Sequence, residues 1–133
     1  MGPAGAALAR RLVRTLAERG DTLALAESVT GGRVAALITA VPGASKVLLE
    51  GRVVYTEAAK RRLGVPPTLL SKHGALTAQL TAELPPRIRK MTGATWGLSV
   101  TGVAGPSGGT RKTPVGTVFA ACSGPNGLRA ASR

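Results

Sequence analysis

Short strand-like segments alternate along this chain with segments whose apolar residues recur at helical spacing, and this alternation limits the fold more than any other property. The first helical segment, about Ala6 to Arg19, places Leu8, Leu12 and Leu16 on one face and is followed by a glycine. Strands that alternate with helices predict a layered α/β fold. Four segments are predicted to be strands: Thr22–Glu27, Arg52–Thr56, Trp96–Val100 and Val115–Cys122.

Further helical segments are predicted between the strands. One follows the turn at Gly31–Gly32, and a short one covers Glu57–Leu63. Another starts at Thr77, a good N-cap residue, and runs toward Met91. Because that segment contains Pro85–Pro86, and an interior proline costs about 3 kcal/mol or more, we expect this helix to be broken or kinked.

The length of 133 residues predicts a single domain, residues 1–133, with one modest core. Aromatic residues make up only 2% of the chain, so this core must consist mainly of alanine, valine and leucine. The single cysteine, Cys122, excludes an internal disulfide and is expected to be a reduced core residue. No apolar stretch approaches the ~20 residues that span a bilayer, and the sequence shows no secretory signal, so we expect a cytoplasmic protein without membrane contact.

The net charge of +12, from 18 basic and 6 acidic residues, is the most unusual bulk property of the chain. Such a balance favours polyanions or anionic phosphate ligands as partners. The basic residues are spread in small groups, and the few aromatic residues do not make a base-stacking platform, which disfavours sequence-specific nucleic-acid binding. Non-specific nucleic-acid affinity at low salt stays open, as does a simple loss of acidic residues.

The segment Ala26–Gly32 reads Ala-Glu-Ser-Val-Thr-Gly-Gly and lies at a predicted strand-to-helix turn. Ser28 is therefore expected near the unpaired backbone N–H groups of a helix start, which can stabilise an alkoxide or an oxyanion. Gly31 and Gly32 would let a ligand approach the backbone closely. Ser28 and Thr30 also suit the ordinary role of helix caps, and that alternative stays open.

A glycine-rich loop, Thr101–Pro114, follows the third predicted strand. Loops of this type commonly cradle phosphate through their backbone N–H groups. The loop is neither a Walker loop nor a dinucleotide-binding fingerprint, because the required spacings are absent. An ordinary long surface loop is the alternative.

Few other residues are candidates for chemistry. His73 is the only histidine, so a Ser-His-Asp triad would need it together with one of six acids. The cysteine, the histidine and the scattered acids show no metal-ligand spacing, and no metal site is expected. A serine without histidine needs another base, and a lysine serves when burial or positive neighbours lower its pKa. Lys60 follows a predicted strand beside Arg61 and Arg62, although a solvated helix lysine is the alternative.

Five short motifs occur in a fixed order over nearly the whole chain. They are the segment Ala26–Gly32, a strand ending in Tyr55 with Lys60 soon after, His-Gly-Ala at His73–Ala75, the segment Val100–Gly109, and Pro-Val-Gly-Thr-Val at Pro114–Val118. Together these motifs are highly specific, and with them the chain resembles the CinA C-terminal domain family. The resemblance implies a three-layer α/β/α sandwich.

The same resemblance implies an amidohydrolase that deamidates nicotinamide mononucleotide, a pyridine nucleotide, to nicotinic acid mononucleotide and ammonia. Carried over by motif, Ser28 is the nucleophile and Lys60 the general base, while Tyr55 assists proton transfer or positions the serine. Backbone donors near Gly31 or Gly102 are expected to hold the oxyanion. No metal or organic cofactor is implied. The residues expected to bind substrate are Thr30, Gly31, Gly32, Thr101, Gly102, Gly105, Gly108 and Gly109.

The chain departs from the family pattern at several positions. Glu57-Ala58 stands where the family has an Asn-Glu pair, Thr77-Ala78 replaces a Ser-Glu helix start, and Pro85–Pro86 interrupts a helix. The chain is also short at its C-terminus relative to the family, so we expect the last strand and helix to be absent. The apolar surface left exposed would favour self-association into a homo-oligomer.

Two other functions stay open on the sequence. The lost acids, the double proline and the short C-terminus favour a catalytically impaired nucleotide-binding protein, whereas the intact Ser28, Tyr55 and Lys60 favour the amidase. The basic composition also fits a nucleic-acid-associated protein, whose binding would weaken steeply as salt rises.

Overall fold

The computed structural model describes residues 2–132 and contains a five-stranded sheet. Its strands are β1 (Leu23–Glu27), β2 (Leu48–Val53), β3 (Trp96–Gly102), β4 (Val118–Gly124) and β5 (Gly127–Ser132). Their order across the sheet is β2-β1-β3-β4-β5. Strand β1 pairs in parallel with β2 and β3, whereas β4 is antiparallel to both β3 and β5. The carboxyl ends of β1, β2 and β3 therefore meet at one edge of the sheet.

The helices connect these strands. They are α1 (Pro3–Arg19), α2 (Arg33–Thr39), α3 (Glu57–Arg62), α4 (Pro67–His73) and α5 (Ala78–Thr92), with a short 3-10 helix at Ala44–Lys46. Helix α1 ends before Gly20, which is in the left-handed conformation, as predicted, but it begins at Pro3 rather than about Ala6. Within residues 2–132, no helix combines the length and the apolar composition that crossing a bilayer requires.

Side chains along β1 alternate between two cores, one on each face of the sheet. Leu23 and Leu25 pack with α1 and α2, while Ala24 and Ala26 pack with α5 and its neighbours. Helices thus lie on both faces, and the predicted three-layer α/β/α architecture is confirmed. The first core also contains Val13, Leu16, Ile38 and Val47, and the second contains Leu63, Val65, Leu70, Leu80, Leu84 and Ile88.

The second strand lies earlier in the chain than the predicted range Arg52–Thr56. Its pairing with β1 ends opposite Glu27, and one further backbone hydrogen bond joins the Val54 N–H to the Glu27 carbonyl at 2.7 Å. Tyr55 already belongs to the connection that leads into α3. The length of the partner strand sets where β2 ends, and the strand propensity of the segment does not reveal that length.

The fourth strand starts later than predicted, at Val118 rather than Val115. Gly116 has a positive φ of 96°, and the Thr117 N–H donates to the Pro114 carbonyl at 3.1 Å. These two features make a turn where the sequence suggests the start of a strand.

Strand β5 is an addition to the four predicted strands. A two-residue connection, Pro125–Asn126, joins β4 to β5, and the two strands pair as an antiparallel hairpin. The expectation that the sheet lacks its last strand therefore does not hold for Gly127–Ser132. A proline followed by Asn-Gly is a strong hairpin signal.

Helix α5 runs unbroken over Ala78–Thr92 with Pro85 and Pro86 inside it, so of the predicted break or kink the break is wrong. Pro85 has no N–H to donate to the Thr81 carbonyl, four residues earlier. The hydroxyl of Ser99 donates to that carbonyl instead, at 2.7 Å. Strand β3 therefore satisfies the acceptor that the proline leaves free, which offsets part of the cost of a proline in the helix.

Candidate active site

Ser28 lies directly after β1, at the edge where the parallel strands end. Its backbone N–H donates to the Val100 carbonyl of β3 at 2.8 Å, which extends the β1–β3 pairing by one residue. Because side chains alternate along a strand, Ser28 faces the same side as Ala26, toward α3, whereas Glu27 faces α2. Ser28 is 3% exposed, so its hydroxyl is held inside the protein rather than on a mobile surface.

Lys60 approaches Ser28 from helix α3. Its Nζ lies 3.4 Å from the Ser28 Oγ and donates to the Val54 carbonyl at 2.7 Å. The Tyr55 carbonyl lies 3.4 Å from the same nitrogen. Lys60 is only 1% exposed, and the expected alternative of a solvated helix lysine is therefore wrong. The structure brings together the two side chains that the sequence analysis assigned as nucleophile and base.

Burial lowers the pKa of Lys60 below its ordinary value of 10.5, because the ammonium ion loses its hydration in the interior. The carboxylate of Glu57 acts in the opposite direction and raises this pKa, but burial is the larger effect. A neutral lysine amine keeps two N–H donors and gains a lone pair. When the two backbone carbonyls accept those donors, the lone pair is left for the hydroxyl of Ser28. This geometry suits the removal of a proton from the serine.

Glu27 fixes the turn that carries Ser28. Its carboxylate is 2% exposed and accepts hydrogen bonds from the Thr30 hydroxyl at 2.6 Å and from the backbone N–H groups of Gly32 at 3.1 Å, Val34 at 3.0 Å and Ala35 at 2.7 Å. The Gly31 N–H donates to the Ser28 carbonyl at 3.0 Å. The N–H groups of Gly31 and Gly32 are thus occupied by protein acceptors. The nearby N–H groups of Val29 and Thr30 donate to no protein acceptor within residues 2–132, so an oxyanion held near Gly31 stays a prediction for these two.

Glu27 belongs to the motif Ala26–Gly32, but no role was predicted for it. Negative charge is favourable near a helix N-terminus, and an acid a few residues before a predicted helix is the signal that points to this role. Strand alternation, which sends Glu27 and Ser28 to opposite faces, is what separates their functions.

A cleft of about 220 Å³ opens beside Ser28. Its walls are Ser28, Val29, Tyr55, Leu76, Gly102, Val103, Ala104, Gly105, Ser107 and Gly108. No charged side chain is among these residues. Tyr55 lines the cleft and is 66% exposed, and its carbonyl oxygen lies toward Lys60. Part of the predicted site, namely Ser28, Tyr55, Gly102, Gly105 and Gly108, thus shares one cavity.

The other residues predicted to bind substrate do not line this cleft. Thr101 is fully buried, and its hydroxyl lies 2.6 Å from the Thr81 hydroxyl in a hydrogen bond. Gly109 packs against the backbone of Val115, where an added Cβ would lie 2.7 Å from the Val115 nitrogen. The remaining ones, Thr30, Gly31 and Gly32, belong to the turn tied to Glu27.

Five cleft residues are not among the predicted site residues: Val29, Leu76, Val103, Ala104 and Ser107. They come from the turn after β1, the connection before α5 and the glycine-rich loop. No local motif joins three such distant segments, so their proximity only becomes visible in the folded chain.

Glycines allow the loop of residues 103–117 to lie close over the end of the sheet. An added Cβ at Gly102 would lie 2.5 Å from the Thr117 carbonyl oxygen, and one at Gly105 would lie 2.5 Å from a Val115 methyl group. Gly105 also has a positive φ of 78°. Side chains at these two positions would therefore push the loop away from the cleft.

Several backbone amides of this loop remain available to a ligand. Within residues 2–132, the N–H groups of Gly105, Ser107 and Gly108 donate to no protein acceptor. These residues line the cleft that contains Ser28. They offer an uncharged set of hydrogen-bond donors for an oxyanion or another acceptor.

A larger cavity of about 310 Å³ lies between α1 and the sheet, with Trp96 and Cys122 among its walls, and is almost wholly apolar. Burial raises the pKa of the Cys122 thiol, which disfavours the reactive thiolate. Over the described part of the chain, no three His, Cys, Asp or Glu residues come together in a way that could hold a metal ion.

The family model of the CinA C-terminal domain matches residues 5–133. The CinA-like protein of Anaeromyxobacter sp. (strain K) is 54% identical over 123 residues, which are 92% of this chain and 30% of that protein. The CinA-like protein of Myxococcus xanthus is 48% identical over 120 residues, covering 90% of this chain and 28% of that protein. The chain thus spans less than a third of the length of these curated relatives.

Solved structures share the fold. The competence/damage-inducible protein CihA from Agrobacterium tumefaciens superposes with a TM-score of 0.95 at 34% identity, covering 99% of this chain and 81% of that chain. A competence-damaged protein (CinA) superfamily protein from Escherichia coli gives a TM-score of 0.92 at 28% identity, covering 100% and 79%. With a family model matched almost end to end and a shared fold, this chain belongs to the CinA C-terminal domain family.

Proposed function

We propose that this domain is an amidase that deamidates nicotinamide mononucleotide to nicotinic acid mononucleotide and ammonia. The observation that carries the proposal is the buried pair of Ser28 and Lys60, with Oγ and Nζ 3.4 Å apart beside an uncharged cleft. A serine and a lysine of lowered pKa are a nucleophile and base for acyl transfer. Membership of the CinA C-terminal domain family and the motif resemblance supply the choice of substrate.

In the first step, the neutral Lys60 amine takes the Ser28 proton while Oγ attacks the carboxamide carbon. The resulting tetrahedral intermediate carries a negative oxygen. Lys60, now an ammonium, returns the proton to the amide nitrogen, and the C–N bond breaks to release ammonia and leave an acyl-enzyme. Water then attacks the ester with Lys60 as base, and the carboxylate product leaves as Ser28 regains its proton.

The oxyanion is assigned to the glycine-rich loop rather than to helix α2. Glu27 accepts from the opening amides of α2, whereas Gly105, Ser107 and Gly108 line the cleft and their N–H groups have no protein acceptor in the described part of the chain. Loss of one oxyanion donor in a serine hydrolase costs about 10²–10³-fold in rate. The exposed hydroxyl of Tyr55 is placed to bind the substrate or assist the proton transfer.

The size of the cleft favours entry of one end of the substrate. Pockets that enclose a whole small ligand measure about 300–1,000 Å³, and this cleft measures about 220 Å³. We assign it to the nicotinamide ring with its carboxamide, so the ribose and phosphate extend beyond it.

Ammonia release from nicotinamide mononucleotide tests the proposal. The wild-type domain should release ammonia. Ser28→Ala should reduce the rate by at least about 10³-fold, because the nucleophile and its base act together and the base alone does not replace the nucleophile. Ser71→Ala, an exposed serine on α4, is the matched control and should leave the rate unchanged. Ammonia release that is absent in the wild type, or equal in Ser28→Ala, contradicts the assignment.

A further inference from the structure

A second cavity, of about 390 Å³, lies beside the candidate cleft and differs from it in charge. Its walls include Lys72 and His73, at the end of α4, and Lys112, near the tip of the glycine-rich loop. Leu76 lines the first cleft while its neighbour Thr77 lines the second. The same loop also contributes to both, so the two cavities are adjacent.

The position of Lys112 is set by a turn within the loop. The Thr110 N–H donates to the Thr113 carbonyl at 2.9 Å, and the Thr113 N–H donates to the Thr110 hydroxyl at 3.0 Å. Lys112 lies between these two threonines, and Thr113 also lines the cavity. The loop thus brings a second cation to the cavity that Lys72, from a distant part of the sequence, also lines.

These cations lack protein partners. In residues 2–132, the ion pairs involve neither Lys72 nor Lys112, and no acidic side chain lines the cavity. Positive charge at Lys72 is explained in part by the C-terminus of α4, where a cation is favourable. Lys112 does not lie at the end of a helix, so this explanation does not apply to it. A cavity lined by one sign of charge concentrates ions of the opposite sign.

We propose that this cavity binds a phosphate group, and that the group is the 5′-phosphate of the substrate, whose carboxamide lies in the adjacent cleft. The second half of the proposal rests on the proposed function. The cleft beside Ser28 is uncharged, so it cannot neutralise a phosphate, whereas the neighbouring cavity offers two ammonium groups. The imidazole of His73 adds a hydrogen-bond donor. The cavity would therefore make the enzyme prefer the mononucleotide over the riboside.

The test compares two substrates and two double variants. Lys72→Ala/Lys112→Ala removes the cations of the cavity, and Lys46→Ala/Lys90→Ala removes the same charge from exposed positions elsewhere. We expect the first double variant to lower kcat/KM for nicotinamide mononucleotide about tenfold or more, mainly through KM, with little change for nicotinamide riboside. The control double variant should retain the preference for the mononucleotide. If the first variant keeps that preference too, the substrate-phosphate assignment is overturned.

A titration with inorganic phosphate gives a readout that does not need turnover. The wild type and the control double variant should bind phosphate, and Lys72→Ala/Lys112→Ala should bind it at least about tenfold more weakly. Should the wild type bind phosphate in this way but release no ammonia, the anion site stands and the proposed amidase function fails. Equal phosphate affinity in all three proteins overturns the anion site and leaves ammonia release as the separate test of the function.

Discussion

The turn after β1 and the loop after β3 both border the candidate cleft, yet the chain holds them in opposite ways. A buried carboxylate, that of Glu27, ties the turn through four hydrogen bonds of 2.6–3.1 Å. The loop of residues 103–117 is largely exposed, and the close approach of its backbone depends on glycines that lack a side chain. The turn is held in place by the Glu27 side chain, whereas the loop keeps its position because its glycines have no side chains.

This difference matches two different tasks. Proton transfer needs the Ser28 Oγ at a fixed distance from the Lys60 amine, and a hydrogen-bonded turn keeps that distance fixed. Binding through backbone amides needs a ligand to come close to the main chain, and glycine permits it. Changes in the turn should therefore act mainly on kcat, whereas changes in the loop should act on both KM and kcat, because its amides are also assigned to the oxyanion.

The largest expected effect comes from Lys60→Met, which keeps the length of the side chain but removes the base. We expect kcat for ammonia release to fall about 10²–10⁴-fold, with little change in KM because Lys60 does not line the cleft. Steady-state kinetics and a thermal melt measure this. Lys90→Met, on the exposed side of α5, is the control. A Lys60→Met protein with normal kcat would refute the role of the amine.

Glu27→Gln should have the next largest effect. The glutamine offers one acceptor oxygen and places an NH₂ group against backbone donors, so part of the tie at Gly32 and Val34 is lost. We expect the free energy of unfolding to fall by about 1–3 kcal/mol and kcat to fall more than KM rises. Urea unfolding and kinetics at a temperature where the protein stays folded measure the two effects.

Glu18→Gln, an exposed acid on α1, is the matched control for Glu27→Gln and should change neither quantity. A KM effect without a kcat effect would show that the turn serves binding, which would remove the contrast drawn above.

Gly105→Ala and Gly108→Ala should disturb the loop to different extents. Both glycines have positive φ, 78° and 90°, which costs an alanine about 1–2 kcal/mol. Only at Gly105 would the new Cβ meet a neighbour, a Val115 methyl group at 2.5 Å, because the space around Gly108 is open. We expect Gly105→Ala to raise KM and lower kcat, each several-fold more than Gly108→Ala does, as measured by initial rates. Equal effects of the two substitutions would contradict this.

The smallest effect expected is a pH shift from Glu57→Gln. The neutral amine is the active form, so kcat falls as the pH drops through the pKa of Lys60, which burial holds below 10.5. Glu57 raises that pKa, so its removal should move the acid limb of the kcat profile to lower pH. KM should not show the same dependence on pH. If the acid limb of the kcat profile lies at the same pH in Glu57→Gln as in the wild type, the assignment of this titration to Lys60 is contradicted.

The same shift affects stability with a definite sign. The unfolded chain, with an ordinary lysine pKa, binds the proton more readily than the folded protein does. The contribution of Lys60 to the free energy of unfolding therefore rises with pH between the folded pKa and 10.5. Lys60→Met should remove this pH dependence, and urea unfolding at several pH values measures it.

Much of the fold could be predicted from local patterns, and the misses have a common cause. Helix α1 and strand β3 follow directly from periodicity and glycine stops. The continuity of α5 could not be predicted, because the hydroxyl that satisfies the Thr81 carbonyl belongs to Ser99 on another element. The early end of β2 likewise depends on the length of its partner strand.

The site shows the same division between local and distant causes. Ser28 and Lys60 could be singled out from motif and chemistry, but their 3.4 Å separation needed the sheet and α3 together. Thr101 has a favourable position in sequence, yet strand alternation turns its hydroxyl into the core against Thr81. The anchoring role of Glu27 depends on amides up to eight residues later, which a residue-by-residue interpretation does not connect.

The way Lys60 is seated has a consequence for how this site tolerates evolutionary drift. Its amine is held by the main-chain oxygens of Val54 and Tyr55, and every amino acid supplies such an oxygen. Replacing either side chain leaves both acceptors in place, so their identities are free to diverge without displacing the base. Inserting or deleting one residue between β2 and α3 would instead move the Lys60 amine away from these two carbonyl oxygens. Selection must therefore preserve the length of this short connection rather than its composition.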